Sequence, residues 1–433
     1  MGAVGGLMAA AALALQVGVA KSADSGGVHL DAWFHAGRQA ERRTIRDQVA
    51  RFNAAHRGEV RIDLTLIPEG SYNAQVQAAA LAGELPDLLE LDGPYLPSYV
   101  WQGHLRPVGP YLPERLRGTL LPSIREQGTY RGRLYGVGVF DSGLGLYARR
   151  GALEELGVRI PARPEEAWSW REFEWILARL AERDPDGAVL DLHLAYRGEW
   201  YPYAFAPVLW SAGAGLVRET GAGRLRAEGI IDGPRAVFAL RRVQHWIERG
   251  WVDPSLDNAA FPEGRVALSW GGHWSYPRYK EAAGEDLIVL PLPDFGTGTR
   301  TAMGSWVWAI TRRCERPQAA GRFLAFLLRP GEVLKMARAN GAVPGTLPAL
   351  RRSELYGPGG DLAPLARQLR SGVARPRPQT PAYPVISDIF REAFADIRHG
   401  MDVQKVLDRA AREIDADIRA NEGYRFPGEG AGL

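Results

Sequence analysis

Residues 28–67 constrain the fold more tightly than any other stretch of this 433-residue chain. Positions 28–34 (VHLDAWF) alternate apolar and polar, the period of a half-buried strand. Positions 38–56 place Ile45, Val49 and Phe52 at helical spacing, and Gly58 supplies a stop. Positions 60–67 alternate again, with Val60, Ile62, Leu64 and Leu66 on one face. Strand, helix and strand with a crossover of this length make a βαβ unit, which requires a parallel pair and a right-handed connection. A further helical stretch, 72–82, ends at Gly83, and Pro86 opens a short buried run at 87–91. That run delivers Asp92, Gly93, Pro94 and Tyr95 at its carboxyl end, where ligands of open α/β sheets bind.

One such sheet does not use up the chain, and the length predicts two domains of roughly 150–200 residues each. The stretch 130–150 (YRGRLYGVGVFDSGLGLYARR) is where a passage between them fits. A polar turn leads into a β-like run, 134–140, which breaks at Asp141-Ser142-Gly143 and resumes at 144–147. Glycine weakens strand interiors and marks close backbone approach, so a chain crossing an opening suits this pattern. Asp141 then stands at the mouth of the opening; a hairpin or bulge with a solvated Asp is the alternative. Beyond it, Ser169 and Glu172 form a capping box before Phe173, Ile176, Leu177 and Leu180, which predicts a helix over 169–182. An aromatic-rich region follows, with Trp200, Tyr201, Tyr203, Phe205 and Trp210. Helices are expected at 234–249, 317–328, 387–398 and 402–418, and strands at 265–270, 286–292 and 304–311.

Composition excludes several classes. The 53 basic residues nearly balance 50 acidic ones, giving +3 without the basic stripe of a nucleic-acid binder. The single cysteine, Cys314, rules out an internal disulfide and a cysteine-based metal site. The eight His residues are scattered without paired spacing, so neither a metal nor a cofactor is expected. Thirteen Trp are a surplus, and indoles supply flat apolar faces to ligands as well as to cores. Residues 4–20 form a small-residue apolar run ending Gly18-Val19-Ala20, followed by a polar segment. This is read as an export signal, with residues 1–27 as signal and leader; a buried N-terminal helix is the alternative.

The landmarks in order carry a resemblance. They are the opening strand with Trp33, the helix ending RFNAAH, and ALAGELPDLLELDGPYL. Then come YRGRLYGVGVFDSG with LYARR, EGRVALSWGGHW, GSWVWAIT and NGAVPGTL, and last AYPVISDIFREAFADIRHG with the terminal helix. From about residue 28 to about 420 the chain resembles the extracellular solute-binding proteins of family 1, the sugar receptors of ABC importers. The resemblance implies an α/β, two-lobed periplasmic-binding-protein fold with a ligand cleft and several hinge crossings. It places crossings near 137–141, 285–288 and 328–332. Residues 28–138 and 287–330 then form the N-terminal lobe, and 139–286 and 331–433 the C-terminal lobe. It also implies an exported protein, periplasmic or cell-surface associated, acting as a monomer that docks on a permease with a separate ATPase.

A sugar presents hydroxyls at its rim and C–H patches on its faces, so a receptor needs fixed acceptors and flat aromatics. From the first lobe, Asp92 and Tyr95 lie at a strand end, and Trp33 and His35 lie at the end of the opening strand. Asp141 lies at the crossing. From the second lobe, Trp270 and Trp274 flank Gly271-Gly272, with His273 between; Gly272 permits close backbone approach. Ser305 and Trp306 repeat that pattern, and Trp200, Tyr203 and Trp210 are further candidates. Each has a structural alternative: Trp270 as core, Asp92 as a helix cap, Asp141 as a pin bonding local amides. A glycoside hydrolase would need two carboxylates flanking a scissile bond, and no acidic pair sits in such a setting. A phosphorylated polyol would need a cation in the cleft, for which Arg38, Arg197 and Arg338 are candidates. The Trp surplus favours a neutral oligosaccharide.

Overall fold

The structure, a computed structural model, describes residues 27–220 and 224–426. The apolar segment at 4–20 lies outside the described residues. The βαβ unit forms as expected: strand Val28–Ala36 runs parallel to strand Val60–Pro68, from Val28 opposite Val60 to Ala36 opposite Pro68. Strand Leu88–Asp92 joins the other edge in parallel, and strand Trp306–Thr311 continues the sheet antiparallel, with Trp306 opposite Asp92. Antiparallel pairing places the start of the Trp306–Thr311 strand at the carboxyl ends of the parallel strands. Short strands Leu105–Arg106 and Gly136–Val137 complete this sheet.

A second sheet takes the order Leu190–Asp191, Leu268–Gly272, Leu144–Arg149, Leu287–Leu290. The chain therefore passes from the first sheet to the second between 137 and 144. It returns between 290 and 306, later than the resemblance suggests, because Leu287–Leu290 pairs with Leu144–Arg149. Helix Pro330–Asn340 packs along helix Gln39–Ala55 beside the first sheet, where Gln48 donates to the Glu332 carbonyl and Arg51 pairs with its carboxylate.

Strand alternation sorts the cores. Leu30, Ala32, Phe34, Trp308 and Ile310 pack under Ile45, Val49, Phe52 and Phe323, while Leu89, Leu91, Val307 and Ala309 meet Tyr72 and Val76. Burying a side chain such as Phe52 stabilises by about 1.5–3 kcal/mol. The predicted capping box is present: the Glu172 N–H donates to Ser169 Oγ at 3.2 Å, and Ser169 N–H to Glu172 Oε2 at 2.8 Å. The aromatic-rich region is a helix, Trp200–Ser211, buried on every side and containing Pro207. A helix apolar all round carries no 3.6-residue signal, which is why its sequence does not announce it. The run 134–140, by contrast, is broken into two-residue strands at Arg133–Leu134, Gly136–Val137 and Phe140–Asp141.

Candidate ligand-binding cleft

At the carboxyl ends of the first sheet the parallel ladder opens, and polar side chains fill the gap. Backbone pairing between strands Val28–Ala36 and Leu88–Asp92 stops at Trp33 and Leu89. Beyond it, Glu90 Oε2 accepts from the His35 N–H at 3.3 Å and from His35 Nδ1 at 2.6 Å. The Tyr72 hydroxyl donates to the Glu90 carbonyl. Burial alone would strip the His35 proton, but the charge and hydrogen bond of Glu90, with Glu41 and Glu69, hold its pKa up to about 9. The imidazole lies flat on Trp306, with centroids 4.0 Å apart and planes 3° apart. Trp33, Tyr95 and Trp306 are half-buried at this end of the sheet.

Asp92 does not stand alone, as the sequence suggests. Arg377 reaches it with two nitrogens, at 2.9 and 3.2 Å, and bonds Glu199 Oε2 at 2.6 Å. Glu199 is a hub: it also accepts from the hydroxyls of Tyr95 at 3.0 Å, Tyr383 at 2.5 Å, and Ser387. The Arg377 guanidinium also lies 4.9 Å over the Tyr203 ring. Two carboxylates sharing one guanidinium leave a buried excess of negative charge. Burial, together with Glu199, pushes the Asp92 carboxyl up to about 6 against the pull of Arg377. Arg377 follows the short strand Ala374–Pro376, which pairs with Thr301–Met303 beside the passage between sheets. Neither Arg377 nor Glu199 carries a sequence signal: one sits in a proline-rich segment, the other ahead of an aperiodic aromatic run.

The ends of the second sheet are richer in aromatic rings and carry a buried carboxylate, Asp191, whose Oδ1 accepts from the His193 N–H at 2.7 Å. Trp274 is half-buried, meets Trp200 edge-on at 6.0 Å, and bonds Tyr196. Tyr196 stacks on His193 at 4.8 Å. His193 Nε2 lies 3.2 Å from Ser269 Oγ and 3.1 Å from Tyr279 Oη, and burial lowers its pKa. His273 donates Nδ1–H to the Asn340 carbonyl at 2.9 Å; its pKa falls to about 4 through burial. Gly272 has a specific reason: a Cβ there would stand 2.2 Å from the Trp274 ring, so only glycine lets that indole fold over the backbone. The charges of Arg38 and Glu69, from the first sheet's end, reach Tyr196, which brings the two strand-end clusters into one electrostatic neighbourhood.

The other sequence candidates lie deeper. Asp141 is 0% exposed, and its Oδ1 accepts from Ser142 N–H at 2.8 Å, Gln127 Nε2 at 3.2 Å and Gly304 N–H at 3.2 Å. It joins two passages between the sheets, which is the local-amide arrangement. Ser305 is buried, bonding Gln127 through its N–H and receiving the Gly93 N–H on its carbonyl. Trp270 is 1% exposed and stacks on Phe205 in the main core. Trp210 is buried at the far end of helix Trp200–Ser211, about 15 Å along the axis from Trp200. Of the cation candidates, Arg38 and Arg197 are exposed, and Arg338 is exposed beside Glu354. Among the described residues no group of three or more His, Cys, Asp or Glu is placed to hold a metal. No described helix is long and apolar enough to cross a membrane. Cavities of about 460 and 410 Å³ lie elsewhere, the first beside Tyr356 and Arg367, the second beside Val252 and His399.

This architecture has close counterparts. The cyclic α-maltosyl-1,6-maltose binding protein of Arthrobacter globiformis superposes with a TM-score of 0.73 at 21% identity, over 91% of this chain and 100% of that one. Maltose-bound MalE3 of T. maritima gives 0.75 at 20% identity, over 90% and 99%. At this identity the likeness establishes the two-lobed fold. In sequence, an uncharacterized lipoprotein from the oleD 5′ region of Streptomyces antibioticus is 24% identical over 72% of this chain and 69% of its own length. The family of bacterial extracellular solute-binding proteins matches residues 36–333 of the 433, and this protein belongs to it.

Proposed function

We propose that this protein captures a neutral oligosaccharide between two lobes and delivers it to the membrane permease of an ABC importer. The observation that carries the reading is the pairing of two strand-end clusters. Half-buried Trp33, Tyr95 and Trp306 stand at one sheet, and Tyr196 and Trp274 at the other. Flat rings suit the C–H faces of a sugar, and the hydroxyls and carboxylates among them suit its rim. The Arthrobacter relative binds a cyclic maltosyl-maltose and the T. maritima structure holds maltose, in line with that ligand class. In this reading the first sheet, with the helices packed on it, heads one lobe and the second sheet the other. Ligand favours the closed arrangement through contacts to both.

The charges argue for a neutral ligand. An anionic ester would draw on a cation in the cleft, and the buried guanidinium there, Arg377, already spans two carboxylates, while Arg38 stands exposed at the first sheet's end. The same bridge argues for binding without hydrolysis. Asp92 and Glu199 hold one guanidinium between them and cannot flank a glycosidic bond. The protein then acts outside the cytoplasm as a monomer, needs no cofactor, and depends on a permease and ATPase on other chains.

A thermal-shift screen of the protein against mono- and oligosaccharides and glycerol phosphates tests the proposal. A ligand of the native state raises the midpoint by mass action. The expected outcome is a shift with an oligosaccharide that chromatography recovers intact. Shifts confined to phosphate esters, or recovery of cleaved sugar, would overturn it.

A further inference from the structure

The His35–Glu90 pair is buried and strongly bonded, and it lies past the last backbone pair between strands Val28–Ala36 and Leu88–Asp92, at Trp33 and Leu89. We propose that His35 is a positioning residue: bonded by Glu90, it lies flat behind Trp306 and fixes the plane of that indole in the cleft wall. The inference rests on the reading of Trp306 as a wall of the ligand cleft.

Three observations carry it. The two rings are within 3° of parallel at 4.0 Å, the geometry of a planar cation on an aromatic face. Tyr72 closes a second side of the indole edge-on, at 5.2 Å and 89°, and its hydroxyl is bonded to the Glu90 carbonyl. Trp306 also needs a support, because it is the first residue of its strand and follows Gly304, whose φ is +118°. At a strand start the backbone fixes an indole's rotamer less than in mid-strand, and the stacked imidazole adds to the hold of the flanking cores.

The surroundings of His35 agree on its charge. From strand Leu88–Asp92 Glu90 meets Nδ1 at 2.6 Å, and from helix Gln39–Ala55 Glu41 stands 4.0 Å from Nε2. Helix Glu69–Ala82 contributes Glu69 and the neutral Tyr72, and Arg38 sits at the N-terminus of helix Gln39–Ala55. Three carboxylates outweigh one exposed guanidinium, so the ring keeps its proton through neutral pH. Glu90 Oε1 has no hydrogen-bond partner although fully buried, so the carboxylate's one strong bond is to His35.

The test is ¹⁹F NMR of the full chain labelled with 5-fluorotryptophan, with the Trp306 resonance assigned by Trp306→Phe. The expected result is a single narrow Trp306 line that titrates with a midpoint near pH 9. In His35→Phe, which keeps the flat ring, the line persists but no longer titrates. In Glu90→Gln the midpoint falls by about two pH units. In His35→Ala the line broadens or splits. A Trp306 line insensitive to pH between 6 and 10 in the unmodified chain, or unchanged in His35→Ala, would overturn the proposal. Maltotriose titrations of the same variants add the functional arm: affinity is expected to fall at least tenfold in His35→Ala and to lose its alkaline pH dependence in His35→Phe. If the unmodified chain binds no sugar, the ligand reading fails while the NMR result still decides the role of His35.

Discussion

His35 and His273 occupy matching places, one at the strand ends of each sheet, and are equally shut off from water at 3% and 4% exposure. Their charge states are nevertheless opposite. His35 faces Glu90 and Glu41, which overcome the cost of burial and hold its pKa up to about 9. His273 bonds the Asn340 carbonyl, a neutral acceptor, and burial drives its pKa down to about 4. Burial is thus the same and the neighbours decide. The contrast extends to the walls themselves. The first is fastened by ions, His35 to Glu90 and Arg377 to Asp92 and Glu199. The second is fastened mainly by ring contacts and hydrogen bonds around Trp274, Trp200 and His193, with the Asp191 carboxylate accepting from the His193 N–H.

On that contrast, removing a charge should damage the first wall most. Arg377→Met leaves Asp92 and Glu199 buried without their cation and should cost about 3–5 kcal/mol in urea melts. Adding Asp92→Asn should recover part of the loss, since Glu199 keeps its three hydroxyl donors. Asp141→Ala belongs to neither wall. It strands three donors at the passages between sheets, and about 2–3 kcal/mol of apo stability should go. A stability change under 0.5 kcal/mol with lost ligand binding would instead put Asp141 in the cleft.

In the second wall the sensitive element is packing. Gly272→Ala drives a methyl group into the Trp274 ring, so about 1–3 kcal/mol of stability should be lost and the indole displaced, which near-ultraviolet circular dichroism reads directly. The two histidines should also bend the pH–stability curve in opposite directions. For His35 the folded pKa is raised, so its contribution is complete below about 6.5 and disappears as pH rises through about 9. For His273 the folded pKa is lowered, so the unfolded chain binds the extra proton, and stability rises between about pH 4 and 6.5. Relative to the unmodified chain, His35→Phe should flatten the alkaline limb and His273→Gln the acid limb, each by on the order of 1 kcal/mol. The smallest effect should come from Trp210→Phe: seated at the far end of its helix, it should leave ligand affinity within twofold.

Much of the scaffold was legible because it rests on period and punctuation. The alternation of Val60, Ile62 and Leu64 and the Ser169–Glu172 box are local signals, and the structure carries both. The resemblance supplied the order of the parts and the strand ends at which to look. What stayed hidden depends on long-range meeting of side chains. Arg377 lies 285 positions from Asp92, and no spacing rule links a proline-flanked arginine to a strand-end aspartate. Trp270 and Trp274 share one segment, yet one is core and the other half-exposed. The difference follows from where strand Leu268–Gly272 ends, beyond the resolution of alternation alone. Helix Trp200–Ser211 was illegible because its apolar residues cover every face.

The most direct test of the central claim is calorimetric titration of the unmodified chain, Trp274→Ala, Trp306→Ala and Trp210→Phe with a series of neutral oligosaccharides. The account predicts saturable one-to-one binding of at least one of them, a loss of tenfold or more from either alanine variant, and no change in Trp210→Phe. Absence of binding across the series, or alanine variants that bind as the unmodified chain does, would contradict it.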